Sequence, residues 1–569
     1  MRSSERLRLL SAILTRRARS PRSVRKMKTL VAAARSMTMP PVFIRRHFSL
    51  LLALVFASAA SAVFATGAVP TVRTDTGALL GSHDAKSGLD EFKGIPYAAP
   101  PVGSLRWKPP QPVSGWTGVR KADHFGPRCM QRPLYGDMVF RSAGMSEDCL
   151  YLNVWAPTRS PGGKLPVLVY FYGGGFWAGD GSEPRYDGAG LAQRGIVTVT
   201  VNYRLDVLGF LALPALADES PQHASGNYGL LDQNAALRWV RRNIAAFGGD
   251  PARVTIGGES AGSMSVSAQM ASPLSKGLMQ RAIGESGALL GNLKPRPLAL
   301  AEQQGEAFEK RVGAHSLADL RAMAASVLLK ACDDKDIAPF GPTIDGYFLP
   351  RSPEVIYRAG AQAHIPLLVG SNSQEGHYAN LFHDAPPTPA NYRVVLHREF
   401  GAHAAEALKL YPGHTETELK ASGTALAGDQ FIAFATWRWM QLQHQTGQAP
   451  VYYYYFTQGR PARRDGSAGP DPGAVHSGEI EYALGNLSGN AVYAWTPADR
   501  QVSATMEGYW ARFIKTGNPN GPGLPHWPAT ADKEGGLLRQ VIGVPTHTRV
   551  DHDAARYEFL QRMKPDAHL

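Results

Sequence analysis

The stretch Val254-Thr255-Ile256-Gly257-Gly258-Glu259-Ser260-Ala261-Gly262 runs straight on into Ser263 to Met270. It passes from a short β-rich apolar run, through a serine flanked by glycines, into a segment of helical character. The centre reads Gly-x-Ser-x-Gly. A strand that must turn sharply into a helix holds the residue at the turn in a strained conformation, and neighbouring Cβ atoms would clash with the strand and helix. Glycines on both sides of one serine meet that requirement. Such a pattern is weak alone, because an ordinary glycine turn reads the same way, so its surroundings must decide.

Outward from this turn, Leu165 to Tyr172 and Ile196 to Tyr203 are apolar, β-rich runs of strand length. Leu237, Val240, Ile244 and Phe247 recur at helical spacing before Val254. Strands alternating with helices predict an α/β fold: a central, mostly parallel sheet flanked by helices. The short strands and Pro- and Gly-rich turns upstream predict a small N-terminal antiparallel region. In parallel sheets, chemistry gathers at the carboxyl ends of the strands. A serine hydroxyl is a poor nucleophile, and its attack on a carbonyl creates an oxyanion, so the site needs fixed N–H donors and a base. After the strand Leu165 to Tyr172 comes Gly173-Gly174-Gly175-Phe176-Trp177, whose amides no side chain blocks. Gly-x-Ser-x-Gly in this context is the nucleophile elbow of the α/β-hydrolases, in which such a turn and the amide after the nucleophile, here Ala261, form the oxyanion hole. The order expected of that fold is Ser, then Asp or Glu, then His. Glu375, on a loop after the strand-like Ile365 to Val369, is the candidate acid, although a solvated loop carboxylate reads the same. Eleven histidines follow Glu375, and spacing does not choose among them.

The 569-residue chain is 44% hydrophobic and 19% charged, enough for a large core, and no repeat or low-complexity linker divides its body. Its net charge of +13 is concentrated at one end: residues 1–50 hold 13 Lys or Arg against one acid, leaving 47 basic and 46 acidic residues beyond. The near-neutral body offers no basic groove for nucleic acid. The leader reads as targeting. Arg45 and Arg46 precede an apolar run from Phe48 to Ala57, followed by the small-residue signal Ala60-Ser61-Ala62. A signal peptide cleaved near Ala62 or Ala65 is expected, giving a secreted or periplasmic protein without a stable membrane anchor. A span from Phe48 to Val69 is the alternative. Residues 1–65 are thus expected to be leader and 66–569 a single domain. Because signal peptides are usually about 15 to 30 residues long, the extra Arg-rich stretch suggests translation from Met37 or Met39, which would leave residues 1–36 outside the natural product. Of three cysteines, Cys129 and Cys149 are near enough in sequence to close a surface loop, and three buried thiols is the other reading. No Cys or His spacing suggests a metal site, and no cofactor is expected.

Four ordered motifs bring these pieces together: Phe92-Lys93-Gly94-Ile95-Pro96-Tyr97-Ala98-Ala99-Pro100-Pro101, Ser146-Glu147-Asp148-Cys149-Leu150-Tyr151-Leu152-Asn153-Val154, Tyr172-Gly173-Gly174-Gly175-Phe176 and Gly258-Glu259-Ser260-Ala261-Gly262. From about Thr71 to the C-terminus, the chain resembles the type-B carboxylesterases, the group that also contains the cholinesterases. The resemblance implies an α/β-hydrolase fold and a catalytic set of Ser260, Glu375 and His476, the last in Ala474-Val475-His476-Ser477-Gly478-Glu479. It implies oxyanion donors from Gly174, Gly175 and Ala261, supporting roles for Glu259 and Ser286, a Cys129–Cys149 disulfide and an Arg106–Glu147 ion pair. Cys332 is left as a free, buried thiol. One departure stands out: residues 130–148 contain no tryptophan to hold a choline cation by a cation-π contact, which argues against a choline ester. Phe176, Trp177 and Tyr378 are candidates to line a substrate pocket, with plain core packing as the alternative.

The expectation is an exported serine esterase acting on small-molecule carboxylic esters through an acyl-enzyme on Ser260. The same triad could attack amides, carbamates or thioesters. A non-catalytic binding protein on this fold would be expected to lack one of the three residues. Acyl preference and oligomeric state are not legible in the chain.

Overall fold

Seven strands lie side by side and parallel in the order Val197–Val201, Leu165–Phe171, Gly249–Glu259, Arg281–Glu285, Leu367–Asn372, Val451–Phe456, Gly536–Ile542. The structure is a computed structural model and describes residues 69–158, 164–291, 293–533 and 536–563. The leader, its cleavage site and the alternative start codons lie outside the described residues. Beyond Val197–Val201 the sheet continues antiparallel through Tyr151–Pro157, Leu89–Pro96 and Ser82–Asp84. At the opposite edge, Asp532–Lys533 and His547–Val550 flank Gly536–Ile542 in antiparallel fashion, completing twelve strands. A separate small sheet pairs Thr71–Arg73 antiparallel with Ala78–Leu80, and the latter takes Val119–Lys121 on its other side in parallel. The N-terminal region is therefore antiparallel except for this added strand, which arrives by a long excursion instead of a tight turn, and for the short parallel pair Arg128–Cys129 with Met145–Ser146.

The central strands are apolar because both faces are covered. Val167, Val169, Val197, Val199, Val201, Ile256, Leu367 and Leu368 are all fully buried. One cover is the helix Tyr228–Asn243, continued by a 3₁₀ turn at Ile244–Phe247, which carries the helical periodicity seen in the sequence. Another is Ala261–Ala271, all of whose residues are buried. The strand before the elbow runs from Gly249 to Glu259, well beyond the three residues expected, with a register shift between Gly249 and Val254. Its glycines, with Asp250-Pro251-Ala252-Arg253, conceal its extent. A Cβ on Gly258 would lie 2.7 Å from the Phe171 carbonyl oxygen, and one on Gly262 would lie 2.0 Å from it.

Buried polar links tie the periphery to this layer. Arg106 forms a bidentate pair with Glu147, both N–O distances being 2.6 Å, and donates to the carbonyls of Leu320, Arg321 and Met323. Arg204 and Asp232 pair in the core, each less than 5% exposed. The Cys129–Cys149 disulfide is formed, and Cys332 is a buried free thiol. The bridge closes a loop of the length for which restricting the unfolded chain contributes about 3 kcal/mol. Among the described residues, no helix is long and apolar enough to cross a membrane.

Replacing Gly262 by Ala must push the helix off the Phe171 carbonyl. It is expected to destabilise the protein by about 1–3 kcal/mol, measurable as a fall in denaturation midpoint. The same change at Gly144, where a Cβ meets nothing within 4 Å, should leave the midpoint within experimental scatter.

Candidate active site

Ser260 stands between strand and helix with φ +54° and ψ −121°, a left-handed conformation that costs a non-glycine residue about 1–3 kcal/mol. The surroundings hold it there. Its amide donates to the Glu285 carbonyl at 2.8 Å, and its own carbonyl accepts from the Met264 amide at 2.9 Å. With its backbone pinned on both sides, the hydroxyl projects into a cavity of about 470 Å³.

Two loops bring the other groups to Ser260. Glu375 follows the strand Leu367–Asn372, and His476 lies between the strand Val451–Phe456 and the short helix Ile480–Ala483. These strands are neighbours in the sheet, so their loops emerge side by side. The loops are also stitched together: the Gln374 amide donates to the Ala474 carbonyl at 2.8 Å, Asn372 Nδ2 donates to the Val475 carbonyl at 2.8 Å, and the Ala474 amide donates to Ser373 Oγ at 2.9 Å. The outcome is a continuous line of contacts. His476 Nε2 lies 3.0 Å from Ser260 Oγ, and His476 Nδ1 lies 2.7 Å from Glu375 Oε2. The other oxygen of Glu375 accepts from Ser286 Oγ at 2.5 Å and from the Asn372 amide at 2.6 Å, which fixes the carboxylate plane. The single histidine that spacing could not choose is thus singled out by the sheet order.

The turn Gly173 to Trp177 lies against Ser260: a Cβ on Gly173 would be 3.1 Å from Ser260 Cβ. Gly174 and Gly175 have φ of +109° and +68°, and Phe176 shares the left-handed region at +68°. Such a run turns successive amides to one side. The amides of Gly174, Gly175 and Ala261 donate to no protein acceptor among the described residues. Gly174 and Gly175 line the cavity that Ser260 faces, and Ala261, next to Ser260, is fully buried.

Four carboxyl groups crowd behind the serine and histidine. Glu259, Glu285, Glu375 and Glu479 are each 6% exposed or less. Glu259 accepts from Ser477 Oγ at 2.8 Å and lies 3.3 Å from His476 Nε2. Glu479 accepts from Asn372 Nδ2 at 2.5 Å. Burial, followed by repulsion from Glu259 and Glu375, pushes Glu479 well above the usual carboxyl range. Burial also raises Glu259, against the pull of His476. Glu285 accepts from Trp510 Nε1 and Tyr170 Oη, yet burial outweighs those bonds and pushes it up to about 8, so it holds its proton at neutral pH. Burial would lower His476, but the Glu259 charge, then the hydrogen bond and charge of Glu375, raise it to about 9.

Phe176 and Trp177 line the cavity, Trp177 anchored by its Nε1 donating to the Phe340 carbonyl at 2.7 Å. Tyr378 does not. Just past Glu375 the chain turns into the short helix Ala379–Phe382, and Tyr378 packs with Leu381 and Leu426 in a satellite cluster, against the helix Glu416–Gly428. Proximity in sequence to the acid misled that expectation. Sequence reasoning also passed over residues that reach the cavity from afar. Tyr135, Asp137 and Met138 come from the disulfide loop, Lys294 and Arg296 from the segment after Ser286, and Phe431 from a π-helical turn at Asp429–Ala433. The Phe431 ring stands edge-on to His476 at 5.1 Å between centroids. No periodicity announces a π turn, whereas Ser477-Gly478-Glu479 beside His476 is a signal that could have pointed to Glu479.

A serine, histidine and carboxylate in line, beside free amides and a cavity with both apolar and charged walls, form an arrangement suited to acyl transfer. The carboxylesterase family model matches residues 68–559. The chain is 40% identical over 484 residues to fumonisin B1 esterase of Sphingopyxis macrogoltabida, covering 80% of this chain and 83% of that protein. It is 38% identical over 507 residues to para-nitrobenzyl esterase of Bacillus subtilis (strain 168), covering 85% and 96%. A solved PNB esterase superposes with a TM-score of 0.74 at 36% identity over 87% of this chain and 99% of that one. A thermophilic PNB esterase gives 0.74 at 35% identity over 87% and 100%. The chain therefore belongs to the carboxylesterase family and is a carboxylic ester hydrolase on the α/β-hydrolase fold.

Proposed function

We propose that this protein is an exported serine esterase that works through an acyl-enzyme on Ser260. The observation that carries the reading is the unbroken line from Ser260 Oγ through His476 to Glu375, with contacts of 3.0 and 2.7 Å. In this reading His476 Nε2 takes the proton of Ser260 as the hydroxyl attacks the ester carbonyl. Glu375 holds the proton on Nδ1, keeps the ring in that tautomer and stabilises the imidazolium. The amides of Gly174, Gly175 and Ala261 receive the developing oxyanion. His476 then returns its proton to the departing alcohol, and water repeats the cycle to free the acid.

Ser286 acts through Glu375, as does the Asn372 amide; together they occupy one of its oxygens and leave the other for His476. Glu259 favours the imidazolium that forms in the transition state, at the cost of raising the pH needed for a neutral base. The disulfide supports passage through an oxidising compartment, in keeping with removal of the leader near Ala62 or Ala65 and a mature domain that begins near residue 66.

Hydrolysis of p-nitrophenyl esters from acetate to decanoate is expected to peak at one acyl length. Ser260→Ala should lose about ten-thousand-fold or more in kcat while keeping its denaturation midpoint. An equally active, folded Ser260→Ala enzyme would refute the assignment. Matched amides should turn over much more slowly than the esters.

The base must be neutral, so activity rises with pH through the pKa of His476. Glu259→Gln removes the largest charge holding that pKa up. The acid limb of the kcat/KM profile should then move to lower pH by about one unit. A limb that stays in place or moves upward would show that Glu259 does not act on His476.

Expression of the whole reading frame with its leader should yield an extracytoplasmic protein whose N-terminus, read by mass spectrometry, lies between residues 63 and 66. Recovery of an intact leader would overturn the export reading.

A further inference from the structure

The rim of the cavity carries the sequence Lys294-Pro295-Arg296-Pro297. A residue that precedes proline is confined to extended backbone, and each proline fixes its own φ, so this segment is stiff before any tertiary contact forms. Tertiary contacts then anchor it. Arg296 and Pro297 pair in parallel with Thr343 and Ile344, and the Arg296 amide donates to the Pro342 carbonyl at 3.1 Å. In extended chain, residues two apart face the same side at about 7 Å. Pro295 is buried, whereas Lys294 is exposed, Arg296 is half-buried and both line the cavity.

Neither cation has a carboxylate within salt-bridge distance or a side-chain hydrogen bond among the described residues. The other charges of the cavity wall are engaged. Arg185 pairs with Glu183 at 2.8 Å and with Asp137 at 3.1 Å, and Glu259 is held by Ser477 and His476. Two uncompensated cations, Arg296 on an anchored strand and Lys294 beside it, therefore line the cavity that Ser260 faces. Burial of Glu285 behind the site favours its protonated form, which weakens its repulsion of an anion at the rim. The guanidinium fork of Arg296 suits a carboxylate, and the ammonium of Lys294 adds a mobile point charge beside it.

We propose that Lys294 and Arg296 recognise a carboxylate on the substrate, so that the preferred esters are anionic ones bearing a free carboxylate away from the scissile bond. This inference rests on the reading of Ser260 as the nucleophile and specifies the substrate class of that same site.

The test compares two series of esters. In one the carboxylate is on the acyl side: monomethyl esters of straight-chain diacids from succinate to sebacate, against methyl esters of monoacids of equal length. In the other it is on the alcohol side: acetates of ω-hydroxy acids, against simple alkyl acetates. Wild-type enzyme should favour the carboxylated partner in kcat/KM by about tenfold or more at one or more lengths in at least one series. That preference should shrink as salt is raised. In the Lys294→Gln/Arg296→Gln variant, the ratio of carboxylated to neutral kcat/KM should fall about tenfold, with most of the change in KM. Neutral esters cleaved as well as their carboxylated partners throughout, in an enzyme that Ser260→Ala silences, would overturn this inference and leave the catalytic reading standing. A preference retained by the double variant would overturn it equally. Hydrolysis that persists in Ser260→Ala would overturn both.

Discussion

The left-handed backbone of Ser260 is the constraint on which the rest of the structure depends. A serine at φ +54° costs energy that nothing in the residue itself repays. The parallel strands on either side supply the compensation: Ser260 donates to Glu285 on one neighbour, and Gly258 and Gly262 pack against Phe171 on the other. Strand, turn and helix thus hold one another in place. The hydroxyl is delivered at the carboxyl edge of the sheet, where the loops carrying Glu375 and His476 also emerge.

Electrostatics at this edge are a balance of proximity against burial. Four carboxyl groups within one small region could not all carry charge at neutral pH. They differ in what they touch. Glu375 receives Ser286, an amide and His476. Glu285 receives only an indole and a phenol, and keeps its proton. Burial raises Glu259 against the pull of His476, and burial with the charges of Glu259 and Glu375 holds Glu479 well above the usual carboxyl range. The imidazole sits where these fields meet, so its basicity is a property of the whole set.

How much of this was legible in the chain follows from the range of each signal. The elbow, the glycine turn and the core strands are local, and their positions can be read to within a few residues; the strand Gly249–Glu259 is legible only in part because Asp250-Pro251-Ala252-Arg253 and its glycines carry no apolar β-rich pattern. His476 was a matter of family resemblance, since its place beside Ser260 comes from the order of strands in the sheet, and that order is a tertiary fact. The cavity was the least legible element. Beyond the glycine turn, its walls include the disulfide loop, the segment after Ser286 and a π-helical turn, places far apart in sequence. Tyr378 was misplaced for the same reason: a neighbour in the chain need not be a neighbour across a cavity.

The stitching of the Glu375 loop to the His476 loop separates two tasks. Those bonds join main chain and short polar side chains of Asn372, Ser373, Gln374, Ala474 and Val475, and none involves the disulfide loop or the proline-rich rim. The line from Ser260 through His476 to Glu375 is thereby held by bonds that do not depend on those two segments. Insertions or exchanges in the disulfide loop or the proline-rich rim can reshape what enters while the chemistry stays in register, so one scaffold can be retailored to new esters without relearning how to cut them.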